Sequence, residues 1–204
     1  MASRLANISI VAAATFVSRI LGLVRDVIIF ASLGATALSS AFLIAFTIPN
    51  LFRRLLGEGA LTSAFVPIYA EELEKRSREE AHKFLNKVVT RLAILLLILV
   101  PIGFFLARQV MRYPGLVERW YLSAELTILL LPYLLFVCVA AILGAALNIL
   151  RRFTVAALSQ VWLNLSMIIA IGFFGYFLAR NPHERVLYLC AGVLFGGLIQ
   201  IVIP

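Results

Sequence analysis

Apolar runs long enough to cross a bilayer recur six times in this chain, at about residues 8–33, 36–56, 88–106, 126–150, 155–178 and 186–204. Roughly 20 apolar residues of helix span a bilayer core. The whole composition agrees: 63% of the 204 residues are hydrophobic and 14% charged, with a mean hydropathy of +1.03, against about 25% charged residues in soluble domains. The expected fold is therefore an all-α polytopic membrane protein. Ala60 to Leu73, of mixed character, reads as a short surface helix.

Charges inside the first two runs then demand an explanation. Ile48 to Pro67 holds Arg53 and Arg54 beside a Gly57-Glu58-Gly59 break. An arginine at the centre of a span costs roughly 2.5–3.5 kcal/mol on insertion scales, so such residues face water, protein or a counter-charge. Two readings stay open: a cation-lined cavity, or the end of a span whose arginines snorkel to the headgroups. Glu58 is a candidate counter-ion for Arg54, four residues earlier. Pro49 removes a backbone donor and is expected to kink the second run, leaving carbonyls near Ala45 for a cavity to solvate; Asn50 follows it.

The first run carries Arg19, Arg25 and Asp26. On one helix Arg19 and Asp26 share a stripe, while Arg25 lies with Ser18 and Gly22, about 120° away. Gly22, costing up to ~1 kcal/mol of helix propensity, is expected to loosen a turn and let both arginines enter one cavity. The alternative is a simple Arg25–Asp26 pair at a helix end. The opening apolar stretch of this run is followed by Ser18 and Arg19 and renewed apolar sequence, unlike a cleavable signal.

The remaining features narrow the function class. Residues 71–91 interleave Lys75, Arg76, Arg78, Lys83, Lys87 and Arg91 with glutamates and read as a solvated cytoplasmic connection. Residues 108–119 read as an external loop with an aromatic belt, and Arg151 and Arg152 as a cytoplasmic turn. Nine basic residues then lie inside and five outside, which orients the N-terminus to the cytoplasm. The net charge of +8 is scattered between apolar blocks, so no nucleic-acid surface is expected. Cys138, Cys190, His82 and His183 have no ligand spacing, so neither a metal site nor a cofactor is expected. Gln160, Asn164 and Ser166 in the fifth run need polar partners, and Gly192 and Gly196 form a close-packing pair.

Taken in order, Ser18-Arg19-Ile-Leu-Gly22, Arg25-Asp26, Ala41-Phe42, Pro49-Asn50-Leu51-Phe52-Arg53-Arg54, Glu58-Gly59-Ala60 and Ala64-Phe65-Val66-Pro67 resemble the MurJ (MviN) lipid II flippase family. Gly144-Ala-Ala-Leu-Asn148 and Asn164-Leu-Ser-Met-Ile168 continue the likeness. The resemblance implies the N-terminal six-helix lobe of a MATE-like transporter of the MOP superfamily over residues 1–204, truncated in helix six, with a second lobe outside this sequence. It implies a transporter and not an enzyme, in the bacterial cytoplasmic (inner) membrane, multi-pass.

Its substrate would be lipid II, the undecaprenyl-diphosphate-linked peptidoglycan precursor, flipped outward by alternating access for cell-wall biogenesis. The coupling ion is left open. Membrane lipids and cell-wall synthesis machinery are the further partners it implies. Carried over by position, Arg19, Arg25, Asp26 and Arg53 would bind substrate, with Ser18, Asn50, Arg54, Glu58 and Asn164 in secondary places. Ser40 and Gln160 depart from the family's usual acidic residue and proline. The rival readings are an exporter of another anionic lipid-linked or small molecule in the same superfamily, a membrane enzyme, and a segment inactive by itself. Few membrane-region carboxylates, each close to an arginine, speak against the enzyme.

Overall fold

The computed structural model describes residues 2–202, with side chains described for 12–56, 59 and 61–202. Among these residues regular structure is entirely helical. Helix α1 (Ala2–Leu33) ends at Gly34, whose φ of 66° lets its N–H reach the Phe30 carbonyl at 2.8 Å. That left-handed geometry favours glycine. Thr36 opens α2 (Ala37–Phe52) with a reciprocal cap: its hydroxyl accepts from the Ser39 N–H, and the Ser39 hydroxyl accepts from the Thr36 N–H.

Pro49 does not break α2. Ala45 and Pro49 are buried, so the carbonyls expected to be solvated there are instead packed in protein. The backbone widens one turn later, in a π-helical segment at Arg53–Glu58, a form that recurs at functional sites. Gly59 ends it where a Cβ would overlap the Leu55 carbonyl. The chain then enters α3 (Ala60–Lys75).

Residues 71–91, expected as a connection, are helix except for Arg76 and Ser77, which separate α3 from α4 (Arg78–Met111). The cause is local. Glu71–Lys75 and Glu79–Lys83 pair at 2.7 Å with helical i,i+4 spacing, and the Ser77 hydroxyl accepts from the Glu80 N–H as a cap. Their charges remain largely exposed, as the sequence required.

The rest comprises α5 (Glu118–Ile149), α6 (Phe153–Ile169), a π-helical turn (Ala170–Phe174), α7 (Gly175–Phe177) and α8 (Pro182–Val202). Between α5 and α6, Arg151 stands at φ 61°, and the Arg152 N–H closes the turn on the Leu147 carbonyl at 2.8 Å. Among the described residues four helical stretches are long and apolar enough to cross a membrane: Arg78–Met111, Glu118–Ile149, Phe153–Phe177 and Pro182–Val202. The protein is a multi-pass membrane protein.

Helix α5 is the axis of the packing. It lies against α2, α4 and α8, while α6 joins α8 to α1. Its small and aliphatic side chains, among them Leu130, Leu134, Val137 and Ile142, are buried. In lipid, apolar surface gains little by leaving its solvent, so close packing and interhelical hydrogen bonds carry such contacts. The α6–α8 seam shows both. Gly192 and Gly196 lie directly on α6, where added Cβ atoms would overlap Ala170 and the Ser166 hydroxyl, and that hydroxyl donates to the Gly192 carbonyl at 2.7 Å. Near the start of α8, Arg185 Nη1 donates to the Ser32 carbonyl at 3.0 Å and ties α8 to the end of α1.

The loosened turn expected at Gly22 is absent, for α1 is helical throughout. Gly22 instead faces α6, where a Cβ would sit 3.7 Å from Asn164 Nδ2. The outer side of α1 carries Phe16, Leu23, Val27 and Phe30, all exposed.

Candidate functional site

Arg25 is held by three side-chain hydrogen bonds. Its Nε and Nη2 donate to Asp26 Oδ1 at 2.9 and 2.8 Å, and its Nη1 donates to Asn164 Oδ1 at 2.8 Å. Asn164, buried in α6, uses its own Nδ2 to donate to the Ser18 carbonyl at 3.0 Å. One amide therefore clamps α1 to α6 and fixes the direction of the guanidinium. The Arg25 side chain is 17% exposed and that of Asp26 49%. The anionic partner thus lies on the more open side; the pair forms as the sequence alternative has it, but within α1, which continues to Leu33, and not at a helix end.

Arg25 also lines a cavity of about 440 Å³ together with Asn50, Arg53, Arg54, Thr47 and Gln160. The π-helical turn is what sets Arg53 and Arg54 there, at the end of α2 and facing α6. Asn50 contributes differently from a free amide: its Nδ2 donates to the Phe46 carbonyl at 2.9 Å, inside the helix that Pro49 has deprived of a donor. No carboxylate stands among the lining residues described. Three guanidinium groups in a recess walled by helices concentrate positive potential on whatever occupies it.

The sequence candidates thus divide. Arg25, Arg53, Arg54 and Asn50 share the cavity, and Asn164 and Asp26 hold Arg25 from outside it. Ser18 enters through its backbone carbonyl. Arg19 is exposed on α1 and does not line the cavity, because the unbroken helix turns it away from Arg25. The Glu58 side chain, and with it the expected Arg54 pairing, lies outside the described residues.

Residues that sequence reasoning did not single out are Thr47, Thr62 and Gln200. A second cavity, of about 490 Å³, joins the first through Arg53 and Gln160 and is lined further by Thr62, Asn148, Ser159 and Gln200. The available signal was a lone amide in an apolar run, the same signal that marked Asn164.

The geometry resembles known proteins along nearly the whole chain. The family model described as lipid II flippase MurJ matches residues 29–204. This chain belongs to the MurJ family. Among curated relatives, the probable lipid II flippase MurJ of Buchnera aphidicola subsp. Baizongia pistaciae is 37% identical over 193 residues, covering 92% of this chain and 37% of the relative. The corresponding proteins of Rickettsia prowazekii and Vibrio cholerae are each 35% identical, over 95% and 94% of this chain and 38% of their own lengths.

A solved structure of lipid II flippase MurJ in an inward closed conformation matches with a TM-score of 0.74 at 31% identity, covering 95% of this chain and 40% of that one. The chain therefore spans about two fifths of the length of the MurJ relatives it matches. The relatives matched are themselves named as flippases, and this chain shares their multi-pass membrane architecture.

Proposed function

We propose that this chain is the N-terminal, MATE-like six-helix lobe of a flippase that moves lipid II from the inner to the outer leaflet of the bacterial cytoplasmic membrane. The observation that carries the reading is the convergence of Arg25, Arg53 and Arg54 on one cavity without a lining carboxylate among the described residues. The family resemblance supplies the substrate: a diphosphate-linked lipid made inside and used outside.

A diphosphate is the costly part of that cargo to bring across lipid. Guanidinium groups suit it, because they stay charged, present planar donor forks to phosphate oxygens and are more weakly hydrated than ammonium groups. Arg25 is held in orientation by Asn164 and Asp26 before any substrate arrives, which reduces the ordering cost of binding. The headgroup enters the cavity from the cytoplasmic side while the prenyl chain remains in the bilayer. Rocking against a second lobe then exposes the site outside. The basic residues of α3, the start of α4 and the α5–α6 turn support an orientation with the N-terminus in the cytoplasm. Contact with cell-wall synthesis machinery would serve delivery of the cargo.

Complementation tests this. In bacteria depleted of their own lipid II flippase, the full-length protein is expected to restore growth, and its Arg25→Ala form at equal membrane abundance is not. Arg112→Ala, in the external turn after α4, is expected to behave as wild type. Equal tolerance of both substitutions would refute the cavity role. Failure of a well-inserted wild type would point to a different anionic lipid-linked cargo.

A further inference from the structure

The second cavity differs chemically from the first. Among the described residues its one charged lining residue is Arg53, which also lines the arginine cavity; the remaining polar lining described is uncharged: Asn148, Gln160, Gln200, Ser159 and Thr62. Gln200 is buried, and its Nε2 donates to the Ser159 carbonyl at 3.0 Å, but its Oε1 is buried without a hydrogen-bond partner. An unpaired buried acceptor costs roughly 1–3 kcal/mol. A ligand with hydroxyl or amide N–H groups would satisfy it.

The wall supplied by α5 is kept open. Around Gly144 run Ala140, Ala141 and Ala145, and a Cβ on Gly144 would meet nothing within 4 Å. Tight interhelical contact therefore does not explain this glycine, in contrast to Gly192 and Gly196. The space of about 490 Å³ falls within the size range of small-molecule sites, roughly 300–1,000 Å³.

We infer that this cavity is a subsite for the uncharged, hydroxyl- and amide-bearing sugar next to the diphosphate, with Gln200 Oε1, Gln160 and Asn148 as its hydrogen-bonding groups. The inference rests on the diphosphate reading of the arginine cavity and extends it. Arg53 and Gln160 line both spaces, so the second cavity adjoins the seat of an anion held by Arg25 and Arg53 and is within reach of its next substituent. A second phosphate fits it poorly, since Arg53 is already engaged. An acyl or prenyl chain fits it poorly too, since it would leave the amides unpaired.

The test compares two probes on the full-length protein in detergent: undecaprenyl diphosphate, and the same lipid carrying N-acetylmuramic acid with its lactyl group amidated. Wild type is expected to bind the sugar-bearing lipid about tenfold more tightly. Gly144→Leu, which fills the cavity, is expected to erase that preference while leaving undecaprenyl diphosphate binding unchanged, and Asn148→Leu is expected to reduce it severalfold. Retained binding of the sugar-free lipid also certifies that each variant is folded. Equal wild-type affinity for the two lipids would overturn the subsite and leave the diphosphate reading standing, as would an unaltered preference in both variants. Equal loss of both lipids in both variants would overturn it as well. Wild-type failure to bind either lipid would overturn the diphosphate reading itself.

Discussion

Replacing Asn164 by alanine isolates the contribution of orientation to the arginine cavity. The substitution removes the 2.8 Å bond from Arg25 Nη1 and the 3.0 Å bond to the Ser18 carbonyl. The Ser18 carbonyl keeps its place in the α1 ladder, so the second loss is small. The first is a hydrogen bond to a charged group, worth roughly 1.5–3 kcal/mol. Arg25 retains both bonds to Asp26 Oδ1 and relaxes toward it. The expected cost to undecaprenyl diphosphate binding is therefore about 1–2 kcal/mol, a five- to thirtyfold weakening.

A double-mutant cycle separates this from general damage. Binding is measured for wild type, Asn164→Ala, Arg25→Ala and the double variant. If Asn164 acts by aiming Arg25, its removal costs almost nothing once Arg25 is alanine. Additive losses would refute the reasoning, because they would mean that Asn164 affects binding by some route other than the guanidinium it touches.

Further expectations concern packing and charge. Gly196→Ala is expected to destabilise the protein by about 1–3 kcal/mol through overlap with the Ser166 hydroxyl and Leu163, whereas Gly144→Ala, which meets open space, is expected to hold or raise stability; thermal unfolding in one detergent compares them. Arg151→Gly is expected to stabilise the α5–α6 turn by about 1 kcal/mol, because only the present residue is strained at positive φ, and a lower unfolding temperature would count against it. Glu71 lies below the usual carboxylate range because Lys75 hydrogen-bonds and attracts it, and the same contact raises Lys75. The Glu71 contribution to α3 is thus complete above the ordinary carboxylate pKa and is lost as pH falls through the lowered value, while that of Lys75 is lost only as pH rises through its raised value. Carboxylate titration followed by NMR is expected to show the lowered midpoint return to normal in Lys75→Ala.

Length and hydropathy of the apolar runs were enough to specify helices in a membrane, because a spanning backbone must satisfy its own hydrogen bonds and needs a fixed number of apolar residues to do so. The arginines were visible as charges that lipid would not accept. The ordered motifs from Ser18 to Pro67 already carried the family. Helical continuity was harder to read: the charges of residues 71–91 look like a loop by hydrophilicity alone, and their i,i+4 pairing makes them helix.

Tertiary structure decided which charges meet. Arg19 and Arg25 are six residues apart on an unbroken helix, so sequence proximity gives them no common target; Arg25 meets Arg53 across the space between helices because Asn164, 139 residues later, fixes its direction. The π-helical turn at Arg53–Glu58 and the open wall at Gly144 have no one-dimensional signature either. A residue's chemistry and spacing along its own helix are written in the sequence. Which face of another helix it meets depends on how the helices pack, and that contact decides whether an arginine lines a cavity or faces lipid.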